Sequence, residues 1–413
     1  MSEPAGGQKG AILIADGMAD RPVDSLGGLT PLEAAKTPNL DRLAAQGECG
    51  LMDPIAPGIR AGSDTSHLAL LGYDPHSTYT GRGPFEAAGV GLEVKGGDIC
   101  FRCNFATVDS SLIITDRRAG RINRGTEILA AAVDGMVIGD VTCFFKESVE
   151  HRGALVLRGP GLGHQVSDAD PHKEGARVAL AQGADEASKK TAQVVNEFVS
   201  RSYEILRRNP VNLEREAQGK PPANMILPRG AGVAPHLEPF KVRYGLSGAA
   251  VVETGLIAGI ARYLEMDIPS VPGATGGYDT DEIALARAVV EALRDHDFAI
   301  CNFKAADLAG HDGNAAKKIE CIEKMDRLVG EVVAKLSWPT HIVITADHST
   351  PVTFKDHTGD TVPILFWGPA VRPDGVKAFG ERPCASGSLG RIRGQWLMPM
   401  LTNLMGTQEK FGA

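Results

Sequence analysis

Three apolar runs each end in residues that could hold a metal ion. AILIA leads into Asp16–Gly17, and FAICNFKAAD leads into Asp307, with His311 following in DLAGHDG. HIVITADH ends in Asp347–His348, and His357 follows in KDHTGD. Oxygen and imidazole donors together suit Mn2+, Zn2+ or Co2+, and Mg2+ less well. Six donors exceed what one catalytic ion with an open position takes. They suit two ions about 4 Å apart, the arrangement that stabilises both oxygens in phosphoryl transfer.

A nucleophile stands in GSDTSHLALLGYD. Ser63 follows a glycine and opens a short helical pattern, which puts its hydroxyl near the positive end of the helix dipole. Bound to a metal, that hydroxyl could ionise near neutral pH and attack phosphorus. The same position also suits an ordinary N-cap, and Thr65 and Ser66 are competing hydroxyls. His67 and His341 read as satisfied core or surface histidines. The chain has no dinucleotide fingerprint, P-loop, H-E-x-x-H or nucleophile elbow.

The elements that must carry these residues follow an α/β rhythm. Short apolar runs without alternation suit strands buried on both faces of a parallel sheet, whose ligands bind beyond the carboxyl ends. After AILIADG comes a helix in KTPNLDRLAAQG, with Thr37 as N-cap, Pro38 at its first position and Gly47 as C-cap. The Gly-rich GRGPFEAAGVG then introduces strands in GDICFRCNFATVD, SLIITD, MVIGDVTCFF and GALVLRG. A long helix over about 183–208 carries Val194, Val195, Phe198, Val199, Ile205 and Leu206 as its apolar stripe. NPVNLEREAQGKPPAN has the composition of a linker. From about 240 the α/β rhythm returns with GAAVVET, a helix in LIAGIARYLE, a strand in IPSVPG and a helix in DEIALARAVVEAL. The strand FAICNF, a helix over 316–336 and the strands HIVITADH and VPILFWG complete it. The organisation expected is a discontinuous domain of residues 1–85 and 239–413, interrupted by an inserted domain at 86–238.

With 413 residues, 43% hydrophobic and 23% charged, the chain has the balance of a soluble globular protein. A formal charge of −8 argues against nucleic acid as a main partner. Seven scattered cysteines suit a reducing cytoplasm, and the CFRC pair reads as core. The N-terminus is polar and no run approaches transmembrane length, so a cytoplasmic protein without membrane contact is expected.

Taken in order, ADG with Asp16, TPNLDRL, GSDTSHLALLGYDP with Ser63, NMILPRGAG, GAAVVETGLIAGIA, VPGATGGYDTD, DLAGHDG, TADHSTP and a terminal FGA resemble the alkaline-phosphatase superfamily. More closely, they resemble the cofactor-independent phosphoglycerate mutases of archaeal type, over essentially the whole chain. The resemblance implies an α/β, alkaline-phosphatase-like core with a mostly parallel sheet sandwiched by helices, interrupted by a smaller inserted α+β domain that binds substrate. It implies one divalent metal held by Asp307, His311 and His357, and another by Asp16, Ser63, Asp347 and His348, with Mn2+ first among candidates and no organic cofactor. Ser63 would take the phosphate from 3-phosphoglycerate, and the glycerate 2-hydroxyl would take it back, a step of glycolysis and gluconeogenesis that needs no 2,3-bisphosphoglycerate. The inserted domain would hold the glycerate and exclude water.

The insertion matches the bacterial relatives poorly, so its substrate residues rest on their chemistry. The candidates are Arg117, Arg118 and Arg121 in DRRAGRI, His151 and Arg152 in EHRG, Asp168, Asp170 and His172 in SDADPHKEG, and Arg229 in LPRGAG. Arginine forks suit carboxylate and phosphate, and His151 or Asp168 could exchange protons with the glycerate hydroxyls. Lys304, just before DLAGH, could touch phosphate or pair with a carboxylate. A phosphopentomutase or a metal-dependent phosphatase would share the metal site. A metal-stabilised binding protein would lack the phosphoserine. Homo-oligomerisation is left open.

Overall fold

In the computed structural model, which describes residues 8–412, the strand Lys9–Ala15 runs through a seven-stranded sheet with all but its first residue buried. Residues 1–7 of the polar N-terminal segment and Ala413 of the terminal FGA lie outside the described residues. Across the sheet the strands stand in the order Gly390–Arg393, Glu48–Asp53, Val362–Trp367, Thr340–Thr345, Lys9–Ala15, Phe298–Phe303 and Gly248–Val251. Only Val362–Trp367 runs against its neighbours. The helices Glu282–Asp295, Ala315–Lys335 and Leu397–Met405 pack on the central strands. Phe298–Phe303 and Thr340–Thr345 are buried at every position, so these strands show no alternation of polar and apolar residues. The fold is α/β, with a mostly parallel sheet sandwiched by helices.

Contacts divide the chain into two compact units. The first comprises the described residues up to Thr78, Leu237–Glu253, and those from Leu264 onward; the second comprises Tyr79–His236 and Thr254–Tyr263. The second unit has an antiparallel sheet in the order Ile114–Asp116, Ile99–Val108, Arg152–Arg158, Val141–Glu147 and Met136–Ile138, and Met225–Val233 also pairs with Ile99–Val108. On one face Phe101, Phe105 and Phe145 meet Val195, Phe198 and Leu206 of the helix Glu186–Leu206. On the other, Cys100, Ala154 and Val156 pack with Ala87 of the helix Gly83–Gly89. The helix Gly255–Tyr263 lies against Gly83–Gly89 so closely that a Cβ at Gly259 would collide with the Phe85 carbonyl. This contact joins it to the second unit, although the sequence on either side of it belongs to the first.

Several local expectations are corrected. The stretch that reads as a linker contains the helix Pro210–Ala217, capped by Asn209, whose side chain accepts from Val211 N. IPSVPG forms no strand; Asp267, just before it, makes only an isolated bridge to Ala249. Ile205 is 38% exposed and lies off the buried stripe. The helix Pro38–Ala44 is not capped by the Thr37 side chain, and its C-cap is Ala45 rather than Gly47. The Asp326 carboxylate of another helix accepts from Asn39 N and Leu40 N instead, so a tertiary contact does the work of a local cap. The seven cysteines, Cys100 and Cys103 among them, are free and buried. No helix among the described residues is long and apolar enough to cross a membrane.

Candidate metal centre and nucleophile

Parallel register brings the site together. Ile14 pairs with Asn302 on one side and Thr345 on the other, so the chain leaves three adjacent strands at one edge. Asp16, Lys304 with Asp307, and Asp347–His348 all follow at that edge. Donor atoms of Asp307, His311 and His357 lie within 4.8 Å of one another, and so do those of Asp16, Asp347 and His348. The two groups adjoin: the His348 and His357 rings stack with centroids 3.6 Å apart. Lys304 Nζ bridges the groups, donating to Asp16 Oδ1 at 2.8 Å and to Asp307 Oδ2 at 2.6 Å. Gly17 has φ +61°, and a Cβ there would strike the Asp307 and Thr350 side chains, so only glycine fits the turn.

Ser63 is the first residue of the helix Ser63–Leu70, with Gly62 as N-cap. Its Oγ lies 3.1 Å from His348 Nε2, and both side chains are buried. The three histidines share one orientation. His311 Nδ1 lies 3.0 Å from Lys355 O, His357 Nδ1 2.8 Å from Ala61 O, and His348 Nδ1 3.0 Å from Thr350 Oγ1. Each Nε2 thereby faces the carboxylates: His311 and His357 stand 3.5 and 3.6 Å from Asp307 Oδ1, and His348 3.6 Å from Asp16 Oδ1. An Nδ1–H engaged on protein with a bare Nε2 is how ligating histidines are held.

Charge favours a cation here. Burial, and then the Asp347 carboxylate, push the Asp16 carboxyl up in spite of Lys304. Burial acts on Asp307 in the same sense, but the Lys304 ammonium and the His357 contact outweigh it and hold that carboxyl well below the usual range. Burial, with His357 beside it, pushes the His348 imidazole down to about 3, so it is neutral at pH 7. Burial also works to lower His357, but Asp307 outweighs it and raises that imidazole. Asp347 Oδ1 accepts from Gly17 N at 3.0 Å, while its buried Oδ2 accepts no hydrogen bond among the described residues. An unsatisfied buried carboxylate oxygen 3.3 Å from Nε2 of the neutral His348 fits a divalent cation.

The candidates in the second unit fall into two adjoining sets. Arg117 donates to both Asp170 oxygens, at 3.1 and 2.5 Å, and Arg229 Nε lies 3.8 Å from Asp170. His172 Nε2 lies 2.8 Å from Asp168, which also accepts from Gly230 N. The other set is built by sheet register. Arg102 pairs with Arg229, and Asn104 with Arg152, so all four side chains stand on one face. The Nε atoms of Arg102, Arg152 and Arg229, together with His151 Nδ1, are buried without a hydrogen-bond partner among the described residues. Burial, and then Arg152, push the His151 imidazole down to about 3. Arg118 and Arg121 are exposed, near enough to His151 to act on it electrostatically.

Sequence reasoning missed Arg102, Asn302, Thr350 and Lys318, and took His67 for a bystander. Asn302 Nδ2 donates to Asp16 Oδ2 at 3.0 Å and lies 3.2 Å from His67 Nε2, while His67 Nδ1 lies 2.7 Å from Ser63 O. A signal existed for three of the four: Asn302 interrupts an otherwise apolar strand, Arg102 is the one charged residue of the strand Ile99–Val108, and Lys318 falls on the buried stripe of its helix with Cys321, Ile322 and Met325.

Fold and donor set thus define an α/β protein in which a helix-opening serine adjoins two neighbouring groups of candidate metal ligands. A sequence model of the family described as 2,3-bisphosphoglycerate-independent phosphoglycerate mutase matches residues 44–212. The enzyme of that name numbered 1 from Methanothermobacter thermautotrophicus is 55% identical over 98% of this chain and 100% of its own length. Its namesake from Methanosphaera stadtmanae is 52% identical over 98% and 100%. The solved structure of a cofactor-independent phosphoglycerate mutase from Thermoplasma acidophilum superposes with a TM-score of 0.69, at 38% identity over 97% of this chain and 100% of that one. A Pyrococcus horikoshii protein superposes with a TM-score of 0.85, at 40% identity over 98% and 100%. The chain belongs to the 2,3-bisphosphoglycerate-independent phosphoglycerate mutase family, a family of isomerases.

Proposed function

We propose that the protein interconverts 3-phosphoglycerate and 2-phosphoglycerate through a phosphoserine at Ser63, without 2,3-bisphosphoglycerate, as a cytoplasmic step of glycolysis or gluconeogenesis. The observation that carries the reading is the Ser63 hydroxyl 3.1 Å from His348 Nε2, at a helix N-terminus and beside two donor groups. Asp307, His311 and His357 would hold one divalent ion, Asp16, Ser63, Asp347 and His348 the other, with Mn2+ first among candidates. Such ions, when bound, lower the pKa of a coordinated hydroxyl and neutralise developing phosphoryl charge.

The chain's own groups do the rest. Ser63 gives up its hydroxyl proton as Oγ forms a bond to phosphorus and the bond from phosphorus to the C3 oxygen breaks, and that oxygen takes a proton in its place. The glycerate then presents its 2-hydroxyl, which loses its proton as it takes the phosphoryl group and restores Ser63. Lys304 stands between the two donor groups, where its ammonium can pair with a phosphoryl oxygen. The unit containing Tyr79–His236 is assigned the glycerate: Arg102, Arg152 and Arg229 offer buried N–H donors suited to a carboxylate. Arg117, Asp170, Asp168 and His172 fix the arginine face from one side, and Arg118 and Arg121 add positive charge. His151, neutral by virtue of burial and surrounding guanidiniums, can accept a proton from a glycerate hydroxyl.

An enolase-coupled assay with 3-phosphoglycerate and Mn2+, without 2,3-bisphosphoglycerate, tests this. Formation of 2-phosphoglycerate that EDTA abolishes is the expected result. Free phosphate in place of 2-phosphoglycerate would overturn the mutase in favour of a phosphatase.

A further inference from the structure

The two donor groups are joined by one hydroxyl. Thr350 Oγ1 lies 2.8 Å from Asp307 Oδ1 and 3.0 Å from His348 Nδ1, and all three side chains are buried. An ionised carboxylate can only accept, so the hydroxyl proton is committed to Asp307. The threonine oxygen must then accept from His348, and His348 must carry its proton on Nδ1. Its Nε2 is left as a bare lone pair, 3.1 Å from the Ser63 hydroxyl. Carbonyls hold the tautomers of His311 and His357 without involving the other group. His348 alone takes its tautomer from a carboxylate of the opposite group.

The backbone of Thr350 is fixed as firmly as its side chain. Lys318 Nζ, fully buried, donates to Thr350 O at 2.9 Å and to Ala19 O at 3.1 Å, and Thr350 N donates to Ala19 O. The turn after Asp16 and the turn after His348 are thus tied at the residue that spans the groups.

We infer that Thr350 is a positioning residue that sets the His348 tautomer from Asp307 and so couples the Asp16–Asp347–His348 group to the Asp307–His311–His357 group. The inference rests on the reading of these groups as metal sites, but its first test does not. In metal-free protein labelled with 15N-histidine, long-range 1H–15N correlation of His348, assigned with His348→Gln, reads the tautomer directly. The expected result is a proton on Nδ1; a proton on Nε2 overturns the inference.

The second test is Mn2+ titration by calorimetry of wild type, Thr350→Val and Thr350→Ser. The valine keeps the shape and removes the hydroxyl; the serine keeps the hydroxyl. Loss of a group that orients a ligating histidine lowers metal affinity about 10- to 100-fold. Thr350→Val is expected to weaken one of two Mn2+ sites by that factor and leave the other within about threefold, and Thr350→Ser is expected to restore it. Unchanged affinity at both sites in Thr350→Val overturns the coupling, as does failure of the serine to restore it. Wild-type protein that binds no Mn2+ would instead overturn the functional reading, leaving the tautomer measurement to decide the role of Thr350.

Discussion

Lys318 and Asp20 form an ion pair in which neither side chain reaches solvent, Nζ lying 2.8 Å from Oδ2. The pair is fully hydrogen-bonded: Lys318 Nζ also reaches Ala19 O and Thr350 O, and the Asp20 carboxylate accepts from Val352 N and Arg21 N. Removing one partner of such a pair leaves an uncompensated buried charge. Lys318→Met is therefore expected to destabilise the first unit by about 3–5 kcal/mol, measured by urea denaturation of metal-free protein. A loss under about 1 kcal/mol would show that the cavity relaxes or admits water.

Ser63→Ala removes the nucleophile without disturbing the helix, because the N-cap is Gly62 and the Thr65 hydroxyl closes the first turn on Gly62 N. Mutase activity is expected to fall at least about 1000-fold, as loss of a covalent nucleophile requires. Intact mass after incubation with substrate should show the added phosphoryl group in wild type only. A phosphoryl group on the alanine variant would move the nucleophile to another hydroxyl.

Metal binding should depend on pH through His357. Its imidazole is raised above the ordinary value, chiefly by Asp307 acting against burial. Stability from that pairing is fully present below about pH 6.5 and is lost as pH rises through the raised pKa. A metal must displace this proton. Mn2+ affinity is expected to rise with pH through that range, with proton release visible as a buffer-dependent heat. His348, its imidazole pushed down to about 3 by burial and His357, is already neutral at pH 7 and contributes no such release there. Calorimetry in two buffers of different ionisation enthalpy measures it, and identical heats would contradict the assignment.

Arg102 lies 3.5 Å from Glu86, yet Glu86 is also paired with Arg82 at 2.9 Å. Arg102→Met therefore leaves Glu86 compensated, and the fold is expected to survive. If the buried guanidinium binds the substrate carboxylate, losing a charged hydrogen bond worth about 1.5–3 kcal/mol raises KM roughly 10- to 100-fold, with a smaller change in kcat. An unchanged KM would assign Arg102 to structure alone.

How much of this could be read in advance varies with the range of the interaction. The strands carrying Asp16, Asp307 and Asp347 declare themselves by composition, because a strand buried on both faces must be apolar throughout. Their shared edge follows from parallel pairing, which puts every carboxyl end on one side. Ser63 is marked by the glycine before it and the helical pattern after it. These are local facts, and one chain of letters records them. Two stretches differ from the local reading: within 209–224 the Asn209 cap and Pro210 start a helix inside a composition that otherwise reads as a linker, and at IPSVPG pairing stops at Asp267, just before it.

What tertiary structure alone decided lies between distant segments. The pairing of Ile99–Val108 with both Arg152–Arg158 and Met225–Val233 gathers Arg102, Arg152 and Arg229 on one face, a result of register that no spacing reveals. The helix Gly255–Tyr263 joins the second unit because glycines permit its close approach to Gly83–Gly89. The hydroxyl of Thr350 reads as one more polar residue after Asp347–His348 until the fold sets it between Asp307 and His348. The sequence determined which groups could do the chemistry, since that is a property of residue type and neighbours. Their distances, protonation and tautomers were decided by the fold, since these depend on burial and on charges brought together from far along the chain.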